Sequence, residues 1–166
     1  MGMKVTMKDP KRSDYFFEEA IKTLRTNIQF SGKTVKAILL TSCYPNEGKS
    51  NVTFALAEEM GKAGKRVLLI DADIRKSTFV RRYRVKENVF GLSQLLSGQV
   101  SLADTICQTN FQNLDVIFAG PSAPNPSELL SDAEFGKLIE KCKEFYDYIF
   151  IDTPPSANLA DATVVA

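Results

Sequence analysis

The chain has 166 residues, of which 44% are hydrophobic and 25% charged, and its formal net charge is +1. This length and composition suit one globular domain with a sizeable core, and the near-neutral charge argues against a polyanionic partner such as nucleic acid. The sequence has no histidine, which excludes an imidazole base, a catalytic triad built on histidine and most zinc sites.

The cysteines and the hydrophobicity pattern bear on cellular location. Cys43, Cys107 and Cys142 are scattered and form no C-x-x-C pair, which fits a reducing compartment better than a disulfide framework. No apolar run approaches the roughly 20 residues of a membrane span, and the start of the chain lacks the apolar stretch of a secretory signal. We therefore expect a cytoplasmic location.

The first part of the chain divides into a polar start and an amphipathic helix. Residues 1–12 carry lysine, arginine and proline, and we expect them to form a flexible segment before a single domain over residues 13–166. From Ser13 onward apolar residues recur at helical spacing, which predicts a helix with one apolar face. Phe16, which lies in the same stretch, is expected in the core as well. The residues that carry this periodicity are Phe17, Ala20, Ile21, Leu24 and Ile28.

Continuous apolar runs predict strands that are buried on both faces of a sheet. They cover residues 37–42, 66–73, 113–121 and 146–155. Helices are predicted over residues 49–62 and from Ser131, which forms a capping box with Glu134. This alternation predicts an α/β fold, a doubly wound and mostly parallel sheet with helices on both faces, in which ligands bind outside the carboxyl ends of the strands.

The stretch CYPNEGKSN, residues 43–51, follows the first predicted strand and ends as a phosphate-binding loop of the type G-x-x-x-x-G-K-[ST] does. In such a loop, backbone N–H groups and the positive end of the next helix bind phosphate. Cys43 stands at the first glycine position, which needs a tight turn rather than glycine chemistry. The predicted nucleotide-binding residues are Pro45, Asn46, Glu47, Gly48, Lys49, Ser50, Asn51 and Arg75.

Aspartates end two of the other predicted strands. Asp71 and Asp73 follow VLLI, and their side chains are expected on one face of an extended chain, about 7 Å apart; Asp152 follows YIFI. Two carboxylates at one strand end can divide the work of holding Mg²⁺ and of accepting a proton from an attacking hydroxyl. The alternative, that these aspartates only cap the next helices, is disfavoured by the phosphate loop beside them.

A basic cluster follows Asp71 and Asp73 in the sequence. Its residues read as a solvated basic face, because neither the net charge nor interleaved stacking aromatics support nucleic-acid binding. The cluster consists of Arg75, Lys76, Arg81, Arg82 and Arg84.

Taken together, these segments resemble the bacterial tyrosine kinases of capsule and exopolysaccharide synthesis. TSCYPNEGKSN, VLLIDADIRKS and YIFIDTPP are similar to the Walker A, Walker A′ and Walker B motifs of that family. Further similar segments are EEAIKTLRTNI (18–28), GLSQLLSG (91–98) and GPSAPNPSELL (120–130). The resemblance runs from about Tyr15 to the end of the chain.

The resemblance implies a P-loop fold and an ATP- and Mg²⁺-dependent kinase that phosphorylates itself and other proteins on tyrosine. Carried over position by position, Lys49 and Ser50 bind the β- and γ-phosphates and Mg²⁺. Asp71 and Asp152 help to hold the metal, and Asp73 is the candidate base for a tyrosine hydroxyl. The implied catalytic residues are thus Asp73, Lys49 and Asp71, and the implied metal ligands are Ser50, Asp71 and Asp152.

The resemblance also implies partners. Glu19, Lys22 and Arg25 stand at positions that assemble subunits into a ring, and the cytosolic tail of a separate membrane protein activates the kinase at the inner face of the membrane. Because Lys22 replaces an arginine, the ring contact loses a bidentate fork. Asn46 replaces a loop glycine, and Asn51 a common threonine. The family continues beyond residue 166, so we expect a truncated chain whose sheet is incomplete at its C-terminal end.

Two alternatives stay open. The first is a partitioning or septum-site ATPase of the same fold, in which nucleotide hydrolysis switches a dimer. That group carries a second lysine early in the loop, where this chain has Tyr44. The second is a catalytically inactive regulatory module.

Overall fold

A computed structural model describes most of the chain. The described residues are 3–8, 14–32, 36–40, 49–75, 77–131 and 133–153. The strands are β1 (Met3–Lys4), β2 (Ala37–Leu40), β3 (Val67–Asp71), β4 (Cys107–Gln108), β5 (Leu114–Ile117) and β6 (Tyr148–Asp152). The helices are α1 (Tyr15–Phe30), α2 (Lys49–Lys62), α3 (Phe79–Arg82), α4 (Leu92–Leu96), α5 (Leu102–Thr105), α6 (Pro126–Ser131) and α7 (Ala133–Cys142).

The strands form one sheet in the order β1-β4-β5-β3-β6-β2. Every neighbouring pair is parallel except β4 and β5, which form an antiparallel pair. Parallel neighbours need crossover connections, and these connections place helices against the sheet. The predicted α/β architecture with a mostly parallel sheet is confirmed.

Strands β3 and β6 are buried on both faces, and this explains their continuous apolar sequence. In β3, Val67 and Leu69 belong to the core under α1 and α2, whereas Leu68 and Ile70 belong to the core under α4, α6 and α7. Side chains alternate along a strand, so an unbroken apolar run is what two buried faces require. Strand β6 alternates in the same way.

The structure corrects the prediction that residues 1–12 are flexible, as far as it describes them. Val5 and Met7 are buried, with 4% and 1% of their surfaces exposed. Met3–Lys4 pairs with β4, and the Asn110 side chain accepts from Met7 N–H at 2.7 Å and donates to Met7 C=O at 3.1 Å. The alternation of apolar Val5 and Met7 with polar neighbours is a strand signal that the surrounding lysines obscured.

Helix boundaries and side-chain burial differ from the predictions in three places. Helix α1 begins after Asp14, whose carboxylate accepts from Phe16 N–H at 2.9 Å. Phe16 is 79% exposed rather than in the core. Ser131 ends α6 and donates to the carbonyl of Glu128 at 3.0 Å, so it does not cap the following helix as predicted.

The structure also bears on the absence of a membrane span. None of the helices in the described ranges is both long enough and apolar enough to cross a bilayer.

Candidate active site

The carboxyl ends of β3, β6 and β2 meet at one edge of the sheet, since these strands are neighbours in that order. Helix α2 begins there at Lys49. The start of α2, the paired acids and the third aspartate therefore lie at the same edge, as expected for a parallel sheet. The predicted ligands Pro45, Asn46, Glu47 and Gly48 and the side chain of Lys49 lie outside the described residues.

Ser50 and Asp152 join the phosphate-loop helix α2 to strand β6. The Ser50 hydroxyl donates to Asp152 Oδ2 at 2.9 Å, although the two residues are 102 positions apart in the sequence. Thr153 fixes the next position, because its N–H and its hydroxyl both donate to the carbonyl of Leu40, at 3.1 and 2.8 Å. The end of β6 is thus bound to the start of α2 and to the end of β2.

Asp71 is fully buried beside a second carboxylate. It is paired in register with Asp152 of the neighbouring strand, and the two residues are 0% and 1% exposed. Burial, and then the negative charge of Asp152, raise the pKa of Asp71 well above its ordinary value. The hydroxyl of Ser77 and the N–H of Asp73 (3.2 Å) donate to Asp71 and oppose this shift by stabilising the carboxylate.

This donor set fits Mg²⁺. Two adjacent carboxylates and the Ser50 hydroxyl are hard oxygen donors, and a cation bound beside them would offset the burial and the repulsion from Asp152 that raise the pKa of Asp71. Among the described residues, no group of three or more His, Cys, Asp or Glu side chains is arranged to hold a metal. Mg²⁺ is commonly held by one or two carboxylates together with substrate phosphates, so Ser50, Asp71 and Asp152 would be enough protein ligands for it.

Asp73 stands next to this buried pair and is itself only half-buried. The expectation of one extended strand through both acids is wrong, because β3 ends at Asp71. The Asp73 N–H donates to Asp71 Oδ1 at 3.2 Å. A hydrogen bond between an aspartate side chain and the backbone N–H two residues later favours a turn. The turn leaves the Asp73 side chain nearer to solvent than that of Asp71, as a base for an incoming hydroxyl requires.

The remaining predicted ligands lie around this centre. Asn51 is half-buried in the first turn of α2, and its Oδ1 accepts from Arg82 Nη1 at 2.6 Å. Arg75 is exposed, and its carbonyl accepts from the hydroxyl of Ser122 at 3.4 Å.

Three contacts at the site were not predicted from the sequence. Ser77 binds Asp71, Thr153 binds Leu40, and Arg82 binds Asn51. The signal for Ser77 was its place at the end of VLLIDADIRKS, while Arg82 was distinguished only as one member of the basic cluster. The contacts of Thr153 and Arg82 join segments that are far apart in the sequence.

Comparisons with known proteins agree with this geometry. A family model described as an AAA domain matches residues 35–166. The tyrosine-protein kinase CpsD of Streptococcus agalactiae is 44% identical over 149 residues, which are 90% of this chain and 65% of that protein. The tyrosine-protein kinase YwqD of Bacillus subtilis (strain 168) is 37% identical over 163 residues, covering 97% of this chain and 67% of that protein.

The chain belongs to the bacterial tyrosine kinase family. Among solved structures, the kinase domain of the Escherichia coli tyrosine kinase ETK superposes with a TM-score of 0.82 at 30% identity, covering 98% of this chain and 73% of that one. The chain spans about two thirds of the length of CpsD. The resemblance drawn from its motifs is confirmed, and the P-loop fold of this family implies a nucleotide-binding site.

The residues predicted to contact a second subunit lie on α1, and one of them is engaged within the chain. Arg25 Nη1 donates to Glu59 Oε2 of α2 at 3.4 Å. The Nε atom of Arg25 is buried without a hydrogen-bond partner among the described residues. Glu19 and Lys22 are exposed, as is the apolar side chain of Leu24 (40%).

Proposed function

We propose that this chain carries the catalytic site of an ATP-dependent protein-tyrosine kinase. The site transfers the γ-phosphoryl group of Mg-ATP to a tyrosine hydroxyl, on the protein itself and on other proteins. The observation that carries the proposal is the buried Asp71–Asp152 pair beside Ser50, with the more accessible Asp73 at its border. Membership of the bacterial tyrosine kinase family supports the same reaction.

The roles of the side chains follow from their environments. When bound, Mg²⁺ would neutralise charge on the phosphate oxygens, and Ser50, Asp71 and Asp152 are the residues to hold it. Lys49 supplies a positive charge for the β- and γ-phosphates. Asp73 accepts the proton of the tyrosine hydroxyl as that oxygen attacks, since its carboxylate is close to the metal ligands but reachable from solvent.

The assembly and the biological setting are part of the proposal. Glu19, Lys22 and Arg25 form a subunit contact in a ring, the cytosolic tail of a membrane protein activates the kinase at the inner face of the membrane, and the reaction regulates capsule or exopolysaccharide synthesis. The exposed aromatic rings of Phe16 (79%) and Phe30 (84%) on the same helix support a protein contact there.

Replacing Lys49 by methionine tests the reaction. We expect the variant to lose phosphotyrosine formation about a hundredfold or more, because a charge that stabilises the transferring phosphoryl group is removed. The measurement is incubation of full-length protein with labelled ATP, Mg²⁺ and the activating tail, followed by phosphotyrosine detection. Lys137→Met, on an exposed lysine of α7, is the matched control and should behave as the wild type.

The same assay separates the competing functions. Release of free phosphate without phosphotyrosine would identify an ATPase switch instead of a kinase. Neither product, from a wild type given its activator, would identify an inactive module. Wild-type phosphotyrosine levels in Lys49→Met would show that the nucleotide site is assigned wrongly.

Changing Glu19, Lys22 and Arg25 together to alanine tests the subunit contact. We expect the sedimenting mass of the full-length protein to fall from an oligomer toward one subunit, because the three side chains lie along one stripe of α1. Glu59→Gln is the control, since it removes the ion pair to Arg25 but keeps the stripe. An oligomer of unchanged mass in the triple variant would leave only an exposed face with local ion pairs.

A further inference from the structure

Helix α3 carries two arginines and is fixed tightly to the phosphate-loop helix. Phe79 and Tyr83 are 2% and 0% exposed, and the Tyr83 ring stacks on Phe54 of α2 with their centroids 4.4 Å apart. At the start of this segment, Ser77 donates to the buried Asp71. The position of α3 relative to the first turn of α2 is therefore set by packed aromatic rings and by a bond to the metal-binding acid.

This anchoring brings one guanidinium to the phosphate end of α2. Arg82 is exposed, yet its Nη1 donates to Asn51 Oδ1 at 2.6 Å. Asn51 directly follows Ser50, whose hydroxyl bonds Asp152. Arg82 thus contacts the residue next to Ser50, a predicted metal ligand, although it comes from outside every nucleotide-binding motif in the sequence.

The amino end of α2 is a favourable place for a bound anion. The amino end of α2 carries the positive end of the helix dipole, its first turn contains Lys49, and that turn has no acidic side chain. A second cation held at this end raises the local positive potential. A nucleotide polyphosphate supplies several negative charges at the same place.

Building on the nucleotide site of the proposed function, we infer that Arg82 is a phosphate-binding residue. When nucleotide binds, the guanidinium exchanges the neutral amide of Asn51 for phosphate oxygens. The exchange is favourable because a hydrogen bond to an ionised acceptor is stronger than one to an amide, and the planar guanidinium fork matches phosphate oxygens. The basic cluster then contributes Arg82 to the site in addition to Arg75, which was predicted from the sequence.

The test is the affinity of the full-length protein for Mg-ATP and Mg-ADP, measured by calorimetry without any acceptor tyrosine. We expect Arg82→Ala to weaken both affinities about tenfold, as the loss of one charge-assisted hydrogen bond does, and to leave the weak binding of adenosine unchanged. Arg82→Lys should recover part of the loss. Arg81→Ala is the matched control, because Arg81 is the neighbouring exposed arginine of α3, and it should bind both nucleotides as the wild type does.

A second comparison separates phosphate contact from support of Asn51. In an Asn51→Ala background, Arg82→Ala should still cost about tenfold in affinity for Mg-ADP. No further loss in that background would show that Arg82 acts only through Asn51, and the inference would fail. Equal affinities for Arg82→Ala and Arg81→Ala would overturn it as well.

These outcomes are distinct from failure of the kinase proposal. A wild type that binds Mg-ATP but forms no phosphotyrosine overturns the proposed reaction, while the Arg82 comparison still decides the inference. A wild type that binds neither nucleotide overturns both. Because Arg82 is exposed, thermal unfolding without nucleotide should give the same midpoint for Arg82→Ala and the wild type, and this confirms that affinity is compared between folded proteins.

Discussion

Replacing Asp73 by asparagine is expected to lower the rate of tyrosine phosphorylation about 10²–10⁴-fold, while the affinity for Mg-ATP stays close to that of the wild type. The amide keeps the shape of the carboxylate but cannot accept the proton of the tyrosine hydroxyl. The backbone N–H of Asp73, which donates to Asp71 at 3.2 Å, is unchanged by the substitution. Single-turnover phosphorylation and equilibrium nucleotide binding measure the two quantities separately.

Asp104→Asn is a suitable control for this prediction. Asp104 is an exposed acid in the short helix α5, away from the candidate site. Its N–H donates to the hydroxyl of Ser101 at 3.3 Å. It should phosphorylate as the wild type does. If Asp73→Asn lost nucleotide affinity to the same extent as phosphorylation, Asp73 would be a nucleotide or metal ligand rather than the base.

The second large effect concerns Asp71, for which activity and stability should change in opposite directions. Asp71→Asn removes a proposed metal ligand, so we expect phosphorylation to fall about a hundredfold or more. Without Mg²⁺ and nucleotide, however, the variant should be more stable than the wild type by about 0.5–2 kcal/mol. The neutral amide removes the cost of burying a carboxylate and its repulsion by Asp152. The asparagine Oδ1 can still accept from the N–H of Asp73, and its Nδ2 group, in the place of Asp71 Oδ2, can donate to the hydroxyl of Ser77.

The stability difference should depend on pH in a defined direction. The folded-state pKa of Asp71 is raised, so between the unfolded and folded pKa values the folded state binds more protons than the unfolded state. The stability of the wild type therefore falls as pH rises from about 4 toward the folded pKa. The advantage of Asp71→Asn should grow over the same range, which chemical denaturation at a series of pH values can measure.

Asp147→Asn is a control for which the expected change in folding stability has the opposite sign. Asp147 lies at the other end of β6, and the hydrogen bond from Arg66 N–H (2.9 Å), followed by those from its side chain, lowers the pKa of Asp147. The Asp147 carboxylate stabilises the folded protein above its unfolded pKa, and this stabilisation is lost as pH falls, so Asp147→Asn should be slightly less stable than the wild type at neutral pH.

Binding of ligand should also separate Asp71→Asn from the wild type. Added Mg-ATP should stabilise the wild type more than Asp71→Asn. Equal stability of Asp71→Asn and the wild type at every pH would contradict the buried charge pair.

The sequence alone carried the fold class and the principal site residues, because each rests on a local pattern. Unbroken apolar runs such as VLLI and YIFI predict strands buried on both faces, and the polar residues that follow them must lie at the carboxyl edge of a parallel sheet. The positions of Ser50, Asp71 and Asp152 at one edge follow from these patterns without knowledge of any contact between them.

The tertiary structure decided what local patterns do not encode, namely which segments meet. Strand order makes β6 the neighbour of both β3 and β2 and so sets Asp152 beside Asp71 and against Ser50. The burial that raises the pKa of Asp71 exists only once helices cover both faces of the sheet. Arg82 belongs to a basic stretch without a diagnostic sequence signal, and only the packing of Phe79 and Tyr83 against α2 brings its guanidinium to Asn51, since such contacts depend on side chains distant in the sequence.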